Sequence, residues 1–272
     1  MSRSKKLKFS ARPSKPHCSS SSGKVWLYGL HAVLEALRNK NRTFDQLLLL
    51  IKSAPELTLL LEKKCPNLSI SPQLVEEEIF QKVLPKEAVH QGIALLTSPL
   101  PSVSLEDILD QSPQGPLTLL FLDQVTDPQN VGAILRSAAA FKIQGVGLTE
   151  RHSPPLTGTL AKAASGALEI IPLILLKNLV QSLDLLKKHG FWCLGLDENA
   201  SQTLDQINLP ERVVFIMGSE GEGLRRLSRE NCDFLVKIPT SPLFSTLNVS
   251  TSAAICLYEN QRQKNLLLPP QS

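Results

Sequence analysis

Long hydrophobic runs are missing from this 272-residue chain: stretches such as LLLLI at 47–51 stop at five residues, far short of the roughly 20 that a membrane-crossing helix needs. Cysteine is sparse and badly spaced for pairing. Cys18, Cys65, Cys193, Cys232 and Cys256 are scattered, odd in number and contain no CxxC pair. That argues against a disulfide framework and a structural zinc site, and fits a reduced, cytoplasmic chain. His152 has no companion at metal spacing, so no metal is expected; His31 and His90 read as structural or RNA-facing. Aromatic residues make up only 5% of the chain, and Trp26 and Trp192 read as core side chains rather than base-stacking platforms. With 42% apolar residues, wholesale disorder is also excluded.

An excess of one charge is lacking everywhere except at the start. The chain has 29 basic and 25 acidic side chains, a formal net charge of +4. Seven of the basic residues (Arg3, Lys5, Lys6, Lys8, Arg12, Lys15 and Lys24) fall in the first 24 positions, with no acid among them. The other 248 residues therefore carry 22 basic and 25 acidic groups, a net of −3. The basic excess belongs to the tail, so net charge says nothing about nucleic-acid binding by the folded body. Residues 1–23, with four consecutive serines at 19–22, bury too little apolar surface to fold and lack the apolar segment of a signal peptide. They read as a disordered basic extension able to touch RNA phosphates.

What remains is an α/β chain with a clear division. Residues 24–98 read as a compact, charge-neutral α/β unit: helices at 29–37, 55–64 and 73–83, strands at 44–51, 67–70 and 92–96. A Pro-rich linker at 99–116 holds one short helix near 105–109. Over 117–265, strands are expected at 117–122, 145–148, 191–196, 212–217 and 234–238. They alternate with helices at 131–141, 156–164, 178–188, 223–229 and 250–260, and residues 266–272 form a short tail. Nearly continuous apolar strands such as LTLLFL and VVFIM imply a parallel sheet covered on both faces.

In open sheets of this kind ligands bind beyond the carboxyl ends of the strands. Three strand ends run into unusual loops. DQVTDPQNVGAILR at 123–136 places Asn130 and Gly132 at a helix start and Arg136 on its first or second turn; Asn and Gly there also serve as ordinary caps. GSEGEGL at 218–224 has three glycines in six residues with Glu220 at the apex. Its spacing matches neither GxGxxG nor a P-loop, and a plain strand-to-helix turn is the alternative. The third, 238–258, carries Ser245, Thr246, Asn248 and Ser250 ahead of a small-residue helix, more polar side chains than one N-cap needs.

Taken in order, NxGxxxR (Asn130, Gly132, Arg136), MGSEGEGL (217–224) and IP-x6-TLNVS (Ile238, Pro239, 246–250) resemble the three motifs of the SpoU-type RNA 2′-O-ribose methyltransferases. YGLHAVLEAL and AVHQGIAL, at 28–37 and 88–95, resemble the small RNA-binding domain that precedes the catalytic domain in the bacterial 23S rRNA guanosine enzymes of that family. The resemblance implies an α/β SPOUT fold with a C-terminal trefoil knot, S-adenosylmethionine bound in a bent shape, and a homodimer that completes each site. By motif position, Gly218, Ile238 and Leu247 line the methyl-donor pocket. Asn130, Arg136, Glu220, Thr246 and Asn248 form the reacting constellation.

It also implies Arg136 as the base for the ribose hydroxyl. A guanidinium has a pKa above about 12, so electrostatic stabilisation of the developing alkoxide is the alternative role. Position 246 is Thr where Ser is more usual in the family, and Pro242 stands where relatives often carry Gly. The substrate expected is a guanosine ribose in 23S rRNA, with tRNA or another rRNA ribose as the enzymatic alternative. A non-catalytic ribosome-assembly factor is the alternative of another class. A nicotinamide dehydrogenase fails for want of a fingerprint after the first strand.

Overall fold

The computed structural model describes residues 23–101, 103–241, 243 and 246–266. Residues 1–22 of the basic tail, Pro242, Ser245 and residues 267–272 lie outside the described residues. In chain order the elements run β1 (Val25–Tyr28), α1 (Leu30–Arg38), β2 (Phe44–Leu50), α2 (Ala54–Lys64), β3 (Pro72–Val75), α3 (Glu77–Val83), β4 (Ile93–Thr97), α4 (Leu105–Gln111), β5 (Leu117–Leu122) and α5 (Pro128–Ala140). They continue with β6 (Gly145–Thr149), α6 (Gly158–Ala164), β7 (Leu173–Leu176), α7 (Leu179–Lys188), β8 (Trp192–Leu196), β9 (Gln202–Thr203), β10 (Arg212–Met217), α8 (Arg226–Glu230), β11 (Phe234–Lys237) and α9 (Val249–Leu266). Two compact units result, one from the chain up to Pro101 together with Pro155–Glu169, the other from the remainder.

The first unit is built on a mixed sheet in the order β1-β4-β2-β3. Helix α1 buries Ala32, Val33, Leu34, Ala36 and Leu37 along one stripe. The strand expected at 67–70 is instead β3, two residues beyond that range, and α3 begins only at Glu77. Parallel pairing of Leu49 with Leu74 and Leu50 with Val75 draws 73–75 out of the helical pattern. β3 is an edge strand opened by Pro72, where the missing N–H leaves no ladder bond unmade. Two acids, Glu77 and Glu78, then fill the first turn of α3, where the helix dipole favours them.

Within the same unit, the segment carrying α6 is tied down by polar contacts. Tyr28 and Thr159 share a hydroxyl–hydroxyl bond of 3.0 Å. The Arg42 guanidinium forks onto Glu169, Nε at 3.0 and 2.9 Å and Nη2 at 2.7 Å, and its remaining arm donates to the Ser98 carbonyl at 2.7 Å. Asn39 donates to the same carboxylate at 2.7 Å. With side chains 2% and 5% exposed, Arg42 and Glu169 are a buried ion pair with its polar groups satisfied.

In the second unit seven strands pair in the order β7-β6-β5-β10-β8-β11-β9, every neighbour parallel. All six residues of β5 are buried, as expected of a strand covered on both faces. Leu117, Leu119 and Phe121 join Val214 and Ile216 in a core that also takes Leu183 and Leu186 of α7. The short helix of the Pro-rich stretch, α4, starts at a Ser104–Asp107 capping box and buries Leu105, Ile108 and Leu109 in that core. Alternation puts Thr118 on the opposite face. There α9 holds it: Asn260 donates to the Thr118 hydroxyl at 3.0 Å and Lys264 at 2.7 Å. Gln263 bonds the Ile207 carbonyl and the Leu209 amide at 3.0 and 2.8 Å. These bonds carry α9 to Leu266, past the 250–260 expected from its small-residue stretch.

The strand order changes direction between β5 and β10. From β5 the chain steps outward through β6 to β7, then crosses to β8 beyond β10. The carboxyl ends at this switch point frame a crevice.

Candidate active site

Each of the three loops is shaped by its own residues. After β5, Gln124 takes a left-handed φ of 62°, Asp127 caps α5 by accepting from the Gln129 amide at 3.0 Å, and Pro128 opens the helix. Because α5 starts at Pro128, Asn130 lies buried in its first turn while Arg136 lies past its second turn, exposed. After β10, Ser219 and Gly223 exchange backbone bonds of 3.2 and 3.0 Å, closing the glycine loop upon itself. Gly221 and Gly223 take φ values of 85° and 67°, and a Cβ on Gly218 would stand 2.0 Å from the Gly223 carbonyl carbon. Before α9, the Asn248 side-chain Oδ1 accepts from the Ser250 amide at 2.8 Å and from the Ser250 hydroxyl at 2.5 Å, so Asn248 caps the helix.

The loops meet in a trio of side chains. Asn130 Nδ2 donates to Glu220 Oε1 at 3.0 Å; Asn248 Nδ2 donates to the same oxygen at 2.6 Å and to Asn130 Oδ1 at 3.0 Å. The carboxylate fixes which end of each amide faces it, since a reversed amide would set oxygen against oxygen. Both hydrogens of the Asn248 amide are consumed. Glu220 Oε2 takes no bond from another described residue.

Beside the trio lies a cleft of about 640 Å³ at the ends of β8, β10 and β11, walled by the glycine loop. Gly218, Ile238 and Leu247, together with Glu220, Thr246 and Asn248, all line it. Asn130 reaches the site through its bond to Glu220. Arg136 stands apart, with no hydrogen bond or ion pair to another described residue. Among the described residues no group of three or more His, Cys, Asp or Glu is placed to hold a metal, and no helix is long and apolar enough to cross a membrane.

Two site residues escape the sequence reading. Asp197, at the end of β8, lines the cleft with its carboxylate 4% exposed, accepting from the Asn199 amide at 2.9 Å and standing 2.7 Å from Arg229. Asp123, at the end of β5, is fully buried. The signal for both is an acid directly after an apolar strand.

Comparison with known proteins accords with this geometry. The family model described as SpoU rRNA Methylase family matches residues 118–258, and that described as RNA 2′-O ribose methyltransferase substrate binding matches residues 26–103. The 23S rRNA (guanosine-2′-O-)-methyltransferase RlmB of Pseudomonas putida is 39% identical over 244 residues, covering 88% of this chain and 97% of its own length. The enzyme of the same name from Neisseria meningitidis is 36% identical over 241 residues, 88% of this chain and 96% of its own. The fold matches that of the SpoU methyltransferase AviRb from Streptomyces viridochromogenes, solved in complex with AdoMet, at a TM-score of 0.75 and 18% identity over 89% of this chain and 91% of that one. With both of its halves matched and its relatives spanned almost from end to end, this chain belongs to the SpoU rRNA methylase family.

Proposed function

We propose that this chain transfers a methyl group from S-adenosylmethionine to the ribose 2′-OH of a guanosine in 23S rRNA. The observation that carries the reading is the Asn130–Glu220–Asn248 trio at the edge of a glycine-walled cleft, at the sheet's switch point. Relatives that span nearly the whole chain, its N-terminal unit included, bear the name of 23S rRNA guanosine enzymes, which favours rRNA over tRNA. A cytoplasmic location follows from that substrate. An assembly factor without activity has no need of a carboxylate held by two amides beside such a cleft.

The cleft fits the donor in size and in wall chemistry. Gly218 allows backbone to line it closely, and Ile238 and Leu247 add apolar contact. S-adenosylmethionine, when bound, supplies an electrophilic methyl carbon on a sulfonium. The chain's own residues then orient the ribose: Glu220 Oε2 accepts from a ribose hydroxyl, and the Asn130 and Asn248 amides hold that carboxylate in one direction. The Thr246 hydroxyl, on the cleft wall, is a further donor and acceptor. Arg136 meets the adjacent phosphate or the developing alkoxide, or takes the proton as base. A homodimer that completes each site accounts for an Arg136 that makes no bond to the trio, and the family's threaded C-terminal segment belongs to the same reading.

The test mixes purified protein, labelled methyl donor and 23S rRNA lacking ribose methylation, and maps the label. Methylation at one guanosine 2′-OH is expected. Donor binding without label in any RNA would overturn the reading.

A further inference from the structure

The loop that carries Glu220 is held at both feet by a single residue outside the motifs. At its entrance, the Asp123 amide donates to the Met217 carbonyl at 2.8 Å, adding one rung to the β5–β10 ladder. At its exit, the Asp123 carboxylate accepts from the Arg225 amide at 3.2 Å, from Arg225 Nε at 2.7 Å and from Arg225 Nη2 at 2.6 Å. The Ser228 hydroxyl adds a fourth donor at 2.6 Å. The Asp123 side chain is fully buried and Arg225 is half-exposed, at 47%. Burying a carboxylate this completely is costly unless its lone pairs are matched, as here by one backbone and three side-chain donors at the loop's exit.

We propose that Asp123 is the positioning residue of the glycine loop, setting Gly218 against the cleft and Glu220 against Asn130. It acts through the loop, not on the substrate, and its link to methyl transfer rests on the function proposed above. The reasoning is geometric. Residues 218–224 contain three glycines and are closed only by the Ser219–Gly223 bridge, so the loop has little stiffness of its own. Asn130 and Asn248 grip the apex through Glu220 and Asp123 grips both ends, so the loop is fixed at three points. Releasing the ends leaves only the apex contacts of Glu220 with Asn130 and Asn248 to orient the loop.

Two variants test this. Asp123→Asn keeps the volume but turns one acceptor into a donor facing Arg225; Arg225→Gln, at a half-exposed position, removes the guanidinium contacts and leaves the buried acid its other two donors. Amide hydrogen exchange of 219–223 is expected to rise by about tenfold or more in Asp123→Asn and less in Arg225→Gln, with β5 and β8 amides unchanged. Binding of S-adenosylhomocysteine, measured by calorimetry, weakens about tenfold, and kcat falls while KM for RNA stays within about twofold. Loop exchange unchanged in Arg225→Gln and in any Asp123→Asn that folds overturns the proposal, as does a rise spread evenly over the second unit. If Asp123→Asn does not fold, Arg225→Gln decides. Wild-type protein that binds S-adenosylhomocysteine but methylates no RNA would sink the proposed function alone, and the exchange measurement still judges Asp123.

Discussion

Asn130 and Glu220, ninety positions apart in the chain, are joined by one amide-to-carboxylate hydrogen bond of 3.0 Å. The bond ties the first turn of α5 to the apex of the glycine loop, so the trio depends on two loops keeping register. Asn248 braces both partners from the cap of α9, which makes the arrangement a triangle instead of a hinge.

Asn130→Asp replaces the donor facing Glu220 with a second carboxylate and leaves two acids sharing the position. Turnover should fall about a hundredfold, with S-adenosylhomocysteine affinity within about threefold of wild type, because Asn130 does not line the cleft. Single-turnover methyl transfer and calorimetry separate the two effects. Equal losses in both would show that Asn130 shapes the donor pocket.

Arg136→Ala should abolish turnover whether the guanidinium is base or electrostatic partner, a loss of about a thousandfold or more. Arg136→Lys keeps the charge but loses the planar fork, so partial recovery points to charge and none to geometry. Alanine activity close to wild type would remove Arg136 from the chemistry altogether.

Gly218→Ala places a methyl group 2.0 Å from the Gly223 carbonyl carbon, a contact that only a backbone shift relieves. Overpacking of this kind costs about 1–3 kcal/mol, so donor affinity should drop about tenfold or more while the far-ultraviolet circular dichroism is kept. Isothermal titration with S-adenosylhomocysteine reads the change.

In the first unit, Glu169→Ala strands the Arg42 guanidinium in a buried place and should cost about 3–5 kcal/mol in urea unfolding. Replacing both partners, Arg42→Met with Glu169→Leu, should recover most of that loss. A double variant as unstable as the single one would mean that the pair contributes more than its apolar replacement can.

The parts of this fold legible beforehand are those where local pattern and tertiary role coincide. LTLLFL and VVFIM became β5 and β10 because strands covered on both faces need no alternation. Gly218, Ile238 and Leu247 could be placed by motif spacing, and all three line one cleft. Illegible were elements whose reason lies elsewhere in the chain. β3 exists because β2 offers it a partner; β9 is two residues long; the last turns of α9 are polar and held by Thr118 and by the backbone at Ile207 and Leu209. Asp123 and Asp197 look like ordinary loop acids until burial and partners are known. The turn on which Arg136 falls was equally hidden, because the residue count from Asn130 does not say where the helix begins.

The brace supplied by Asn248 has a consequence for biosynthesis. Asn130 leaves the ribosome 118 residues before the side chain that completes its triangle, and the cap of α9 cannot form until the helix behind it has emerged. A nascent chain can therefore pair β5 with β6, and later β10 with β5, while its glycine loop still lacks its second amide. The triangle closes only in one late step of synthesis, and a prematurely terminated chain lacking Asn248 would leave Asn130 and Glu220 without the amide that braces them.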